Sequence, residues 1–217
     1  MRKLIFGLLL GSMFFNVNGQ KISFSVYADP QFSWFSSDEE KIEPNGSVLH
    51  INTGIEFNYF FHDNYALMAA IGINNTGGNL LYSDTTIFIA KEESLEALPG
   101  TNLKHRLQYL NLPLGLTLKT EELGYLTFSF QGGFMPMINI NAHATSDDRL
   151  FERESIRENI NLFNLNYFVG ISAIYRLGGR TAVIGGLRWS SGFTDVTGND
   201  KVNINLNAIS LHIAIQF

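Results

Sequence analysis

The side chains best suited to chemistry in this chain are a few histidines and a set of charged residues embedded in apolar runs. His50 and His105, with Ser47, Asp147 and Asp148 approaching from loops, supply the types that a base–nucleophile pair needs: an imidazole to take a proton and a hydroxyl to attack. None of them has the spacing of a hydrolase or acyltransferase motif. Both histidines read as polar rim surface, so no catalytic residue is assigned and no enzyme is expected. His143 with Asp147 and Asp148 offers the donors of a metal site. One His and two Asp at irregular spacing fix no ligand geometry, so the expectation is a solvated loop without metal or cofactor. There is no cysteine, which excludes disulfides and thiolate sites.

A third set is more distinctive. Asp29, Glu56, Gln131, Asn166, Arg176, Arg188 and His212 stand on the polar side of runs in which apolar and polar residues alternate. Facing one another across a narrow enclosed space, they would balance charge in a buried polar network. Lining the same space with water in it, they would make a narrow ion path. Which of these holds depends on the elements that carry them.

Those elements are strands, because the periodicity is two. Ile22, Phe24, Val26 and Ala28 open the series, with Phe32 and Trp34 beyond; Ile51 to Tyr59 form the second run and Tyr65 to Ile73 the third. The fourth is Leu110, Leu112, Leu114, Leu116 and Leu118; the fifth is Leu126, Phe128, Phe130 and Phe134. Leu165 to Tyr175, Val183 to Trp189 and Ile209 to Phe217 complete eight. Short links (Phe61–Asn64, Lys119–Gly124, Leu177–Arg180) alternate with long ones (Ser36–Ser47, about Thr76–Leu103, Asn139–Asn161), and Asp195–Asp200 is a brief fourth outer link. Eight antiparallel strands with tight turns at one end and loops at the other predict an up-and-down transmembrane β-barrel.

The named apolar rows carry no Asp, Glu, Lys or Arg. Lys or Arg facing mid-bilayer would cost about 2–4 kcal/mol. A soluble lipocalin-like barrel would turn the same apolar rows inward and need charge outside; here the other face holds mostly Asn, Ser, Gly and Thr. Phe32, Trp34, Tyr59, Tyr65, Tyr125, Tyr175 and Trp189 fall near strand ends, as an interfacial belt requires. Pro113 interrupts the fourth run, and a bulge is expected to absorb it. Residues 1–19 read as a secretory signal, with Arg2 and Lys3 before an apolar run too short to span. Removing 19 of 217 residues leaves a barrel domain over residues 20–217. Taking those two from the 15 basic residues leaves 13 against 20 acidic ones, a net charge of −7 that argues against nucleic acid.

Tyr109-Leu110-Asn111-Leu112-Pro113-Leu114, running to Leu118-Lys119, resembles the "YLxIPL…LK" strand of the PorT-type outer-membrane β-barrel family. Arg188-Trp189-Ser190-Ser191-Gly192-Phe193-Thr194-Asp195-Val196 resembles that family's "RYxxGLTDI" segment. The resemblance implies that Pro113 is a family feature. It also implies an outer-membrane location without a common enzymatic activity, and for some members a role in protein secretion. The closing strand, with Ile209, Leu211, Ile213, Ile215 and Phe217 on one face, is similar to the signal read by the outer-membrane barrel assembly machinery. Three functions are expected in order: a scaffold or accessory factor in secretion or envelope organisation, a conduit for ions or small solutes, and a lipid-modifying enzyme. Membrane lipids are partners in each. Other envelope proteins would meet loops 76–103 and 139–161, where Lys91–Leu98 (Glu92, Glu93, Glu96) and Asp148–Asn161 (Phe151, Ile156, Ile160) read as short charged helices.

Overall fold

The alternating rows become eight long strands. They are β1 (Ile22–Ser37), β2 (Val48–His62), β3 (Tyr65–Tyr82), β4 (Thr101–Asn111 and Leu114–Lys119), β5 (Leu126–Ser146), β6 (Phe163–Gly178), β7 (Thr181–Gly192) and β8 (Ile204–Gln216). The computed structural model describes residues 22–38, 41–90, 93–146, 152–198 and 203–217. The signal expected over residues 1–19 lies outside them, as do Lys91, Glu92, Asp147, Asp148 and Phe151. Each strand pairs antiparallel with the next, and β8 returns to β1, with Val26 opposite Ile215 and Ser37 opposite Ile204. A closed ring leaves no unpaired edge. The terminal Phe217 completes the seam: its N–H donates to the Phe24 carbonyl at 2.9 Å and its ring stacks on Phe24 at 5.0 Å.

The oily rows point outward. Ile209, Leu211, Ile213, Ile215 and Phe217 are each 43–48% exposed, and Leu114, Leu116, Phe128 and Phe130 are comparable. An apolar surface of this extent is untenable in water and requires lipid. Tyr59, Tyr65, Tyr125 and Tyr175 are exposed at the short-turn end, with Phe32 and Trp189 toward the other.

Pro113 needs no bulge. Asn111 pairs with Met137 and Leu114 with Phe134 in one unbroken register, and the β3 side is equally continuous. The ladder gives up only donors here. Pro113 still accepts from Ala70 N–H at 2.8 Å, and Leu112 N–H donates to Pro136, a second proline, at 2.9 Å. The β4–β5 bulge falls instead between Gln108 and Tyr109.

The outer links are shorter than the alternation indicates. β3 continues to Tyr82, and its partner segment begins at Thr101; β5 continues to Ser146. The expected helix over Lys91–Leu98 is instead a hairpin of Thr86–Ala90 with Glu93–Ala97. Over Asp148–Asn161 there is a two-residue strand, Glu154–Ser155, on β5 and one 3-10 turn, Arg157–Asn159. Ile156 and Ile160 are buried against the barrel top. A three- or four-residue spacing of apolar residues arises in irregular chain too, and here each residue is held separately by the rim.

Candidate functional site

Inward rows of β2, β4, β5 and β7 bring five polar side chains together. Arg188 Nη2 donates to Gln131 Oε1 at 2.7 Å and to Glu56 Oε2 at 3.1 Å. Glu56 Oε1 accepts from Gln131 Nε2 at 2.8 Å and from Asn58 Nδ2 at 2.9 Å. Thr117 Oγ1 closes the cycle by donating to Asn58 Oδ1 at 2.7 Å. Across the lumen, Asp29 lies 3.9 Å from Arg188 Nη1 and 3.0 Å from His212 Nδ1 through both its oxygens. The Arg188 guanidinium also lies 5.2 Å from the centre of the Phe168 ring. All of these polar groups are buried, and a buried charge persists only when paired and hydrogen-bonded. One guanidinium shared between two carboxylates meets that condition.

Asp29 also repairs the barrel seam. Pro30 follows it and has no N–H, and the registered β1–β8 pairs skip from Tyr27–Ala214 to Gln31–Ser210. The Asp29 carboxylate accepts the Ile213 N–H at 3.2 Å in that gap. The side chain thus replaces a missing strand contact while holding the network.

Five of the seven residues read from the sequence as a lumen network are joined: Asp29, Glu56, Gln131, Arg188 and His212. Asn166 is not. It is buried higher in the barrel and donates to the Leu206 carbonyl at 3.3 Å. Arg176 is not either. It projects past the wall at the short-turn end and pairs with Glu122 at 3.3 Å, both exposed. Its inward parity is correct, but the strand has left the enclosed lumen by then. Asn58 and Thr117 belong to the network although unassigned; their inward parity, two residues from Glu56 and opposite Leu116 and Leu118, was the available signal.

Above this belt the lumen changes character. Phe35, Leu80, Tyr82, Leu103, Leu107, Tyr109, Met137, Phe168 and Leu206 belong to one buried apolar cluster there. His105 sits within this cluster, not on a wet rim. Its Nδ1 is 3.1 Å from the Leu103 carbonyl, its Nε2 is 3.4 Å from Tyr82 Oη, and the rings of Phe35 and Phe88 flank it. His50 Nδ1 is 3.1 Å from Ser33 Oγ, a buried hydroxyl that donates to the Gly77 carbonyl at 2.7 Å. Ser47 is exposed. His143 is half-buried opposite Ser155, and no group of three metal-ligating side chains occurs among the described residues.

The segment after Arg188 serves the outer end. The Asp195 carboxylate accepts Thr197 N–H at 3.0 Å and Ile204 N–H at 2.9 Å, and Thr194 Oγ1 accepts Leu165 N–H at 2.9 Å. These bonds clamp the outer β7–β8 link onto β6. At the opposite end a vestibule of about 1130 Å³ opens between Lys119, Glu122, Arg176 and Arg180.

Among solved structures, the chain is similar to Neisserial surface protein A (NspA), with 14% identity over 89% of this chain and 95% of that one, at a TM-score of 0.48. It is also similar to Ail of Yersinia pestis (12% identity, 91% and 100% covered, TM-score 0.45). A third is OprG from Pseudomonas aeruginosa (11%, 93% and 99%, 0.43). Comparison with curated proteins finds no match. Residues 9–197, most of the chain, match the family described as outer membrane protein beta-barrel domain. With a closed eight-stranded ring, a lipid-facing exterior and a polar belt inside, the chain belongs to that family and is a protein of the outer membrane.

Proposed function

We propose that this barrel is closed to solutes and acts as a scaffold or accessory factor through its outer segments, in protein secretion or envelope organisation as in some PorT-type proteins. One observation carries this reading: the apolar cluster of Leu80, Leu107, Tyr109, Met137 and Phe168 fills the lumen above the Glu56–Arg188 belt. An ion crossing that cluster would shed its water between packed apolar side chains, and hydrophobic constrictions block conduction. The material for contacts lies outside, on the hairpin Thr86–Ala90/Glu93–Ala97 and the 152–161 segment within loops 76–103 and 139–161. Membrane lipids surround the wall, and the assembly machinery would read the exposed row Ile209, Leu211, Ile213, Ile215 and Phe217.

Purified protein in planar bilayers is expected to give a flat baseline at all voltages. Reproducible, ion-selective unitary steps would replace the scaffold by the conduit. In cells, His50→Ala and His105→Ala are expected to leave the phospholipid and lipid A profile unchanged; an altered profile would favour the lipid-modifying enzyme.

A further inference from the structure

The barrel's outer rim is chemically two-sided. On the β6–β8–β1 wall, the outward residues where the apolar rows end are aromatic: Tyr167, Trp189, Phe193, Phe32 and Trp34. On the β3–β5 wall they are amides and then cations. Outward positions on β4 run from Leu110 through Gln108 to Arg106 and Lys104, with Arg106 opposite His143 and Gln108 opposite Asn141 on β5. Asn75 on β3 donates to Ile51 O and accepts from Gln108 Nε2 at 2.9 Å, so the amides form a connected row. Arg153 joins from the outer segment beside the Glu154–Ala144 pair, and is the only described non-glycine residue with positive φ, at 57°. Together these line an open groove of about 620 Å³ whose lower wall is Leu49 and Ile51.

No carboxylate lines this groove, and Lys104, Arg106 and Arg153 form no ion pair with a described residue. Ordinary interfacial anchoring would spread cations around the rim. Here three stand together over one wall, in ion pairs with no described carboxylate, where the lipid-facing surface ends. We infer that the groove binds a phosphorylated glycolipid of the outer leaflet. Its phosphate would sit between Lys104, Arg106 and Arg153, where guanidinium forks match phosphate oxygens. Its sugar hydroxyls would meet Asn75, Gln108 and Asn141, and its acyl chains would lie along Leu49, Ile51 and Leu110. The amide row favours a sugar-bearing headgroup over a simple phospholipid.

The test is native mass spectrometry of the refolded barrel in detergent micelles, with equimolar bisphosphorylated lipid A, its phosphate-free form and phosphatidylglycerol. Lipid A is expected to be retained preferentially. The Lys104→Gln/Arg106→Gln variant is expected to retain at least about tenfold less, the loss of one charge-assisted bond or more. Arg176→Gln, which removes a cation at the other end, is expected to retain as much as the parent. A heat-dependent gel shift in each variant certifies the folded barrel. Equal retention by the Lys104/Arg106 variant, or equal binding of the phosphate-free lipid, would overturn the inference, as would preference for phosphatidylglycerol.

Discussion

Replacing Arg188 by methionine is expected to destabilise the barrel by about 3–5 kcal/mol, the range for removing one partner of a buried ion pair. The change is close to isosteric and leaves Phe168 a packing partner, so the loss is electrostatic. Glu56 would keep Asn58 and Gln131 but lose its one ion-pair partner among the described residues, and Asp29 would keep, among them, His212 and the Ile213 N–H. Urea unfolding in lipid vesicles reads the effect as a lowered midpoint. The Arg188→Met/Glu56→Gln double variant is expected to recover part of it, because one stranded charge is removed as well. A single variant within experimental error of the parent would mean that the belt does not hold the fold.

A second large effect is expected at Gly72. It faces inward beside Gly54, and the Tyr27 ring lies over the pair, an aromatic covering two strand glycines. A Cβ at Gly72 would lie 2.5 Å from Tyr27 Oη, 2.6 Å from the Thr53 carbonyl and 2.8 Å from Asn111 Oδ1. Backbone would have to move, so Gly72→Val is expected to cost at least about 1–3 kcal/mol, the range for overpacking a filled interior. Gly185 is the control. It lies on the lipid side, where an added Cβ meets nothing within 4 Å, and Gly185→Val is expected to be neutral in the same assay. Equal costs at the two positions would mean that the inward and outward faces have been misassigned.

The face assignment was legible because lipid demands one uninterrupted apolar row per strand, as in Leu110 to Leu118 or Ile209 to Phe217, and the opposite rows hold too little charge for the outside of a soluble barrel. The strand ends were not, and the reason is physical. Past the apolar band water replaces lipid outside, so the rule inverts: apolar residues turn inward and polar ones outward. On β4 the apolar parity changes between Leu107, which is buried, and Leu110, which faces out. On β3 it changes between Ile71 and Leu80. Read with one parity, both stretches look like loop, which hid the apolar fill of the upper lumen and placed His105 on a rim. The charged belt was recoverable because Asp29, Glu56, Gln131, Arg188 and His212 share inward parity inside the band. Arg176 has the same parity but no enclosure, and parity alone does not report where the wall ends.

The most direct test uses the absence of cysteine. Single cysteines at Leu114, Leu116, Leu211 and Ile213, and at inward Ser129 and Ser210, would carry spin labels in lipid vesicles, with collision rates measured for oxygen and for a water-soluble nickel complex. The outward four are expected to collide freely with oxygen and little with nickel, while labels at Ser129 and Ser210 are immobile and shielded from both. Labels at 114, 116, 211 and 213 that are immobile and shielded, or open to nickel, would contradict a lipid-facing wall.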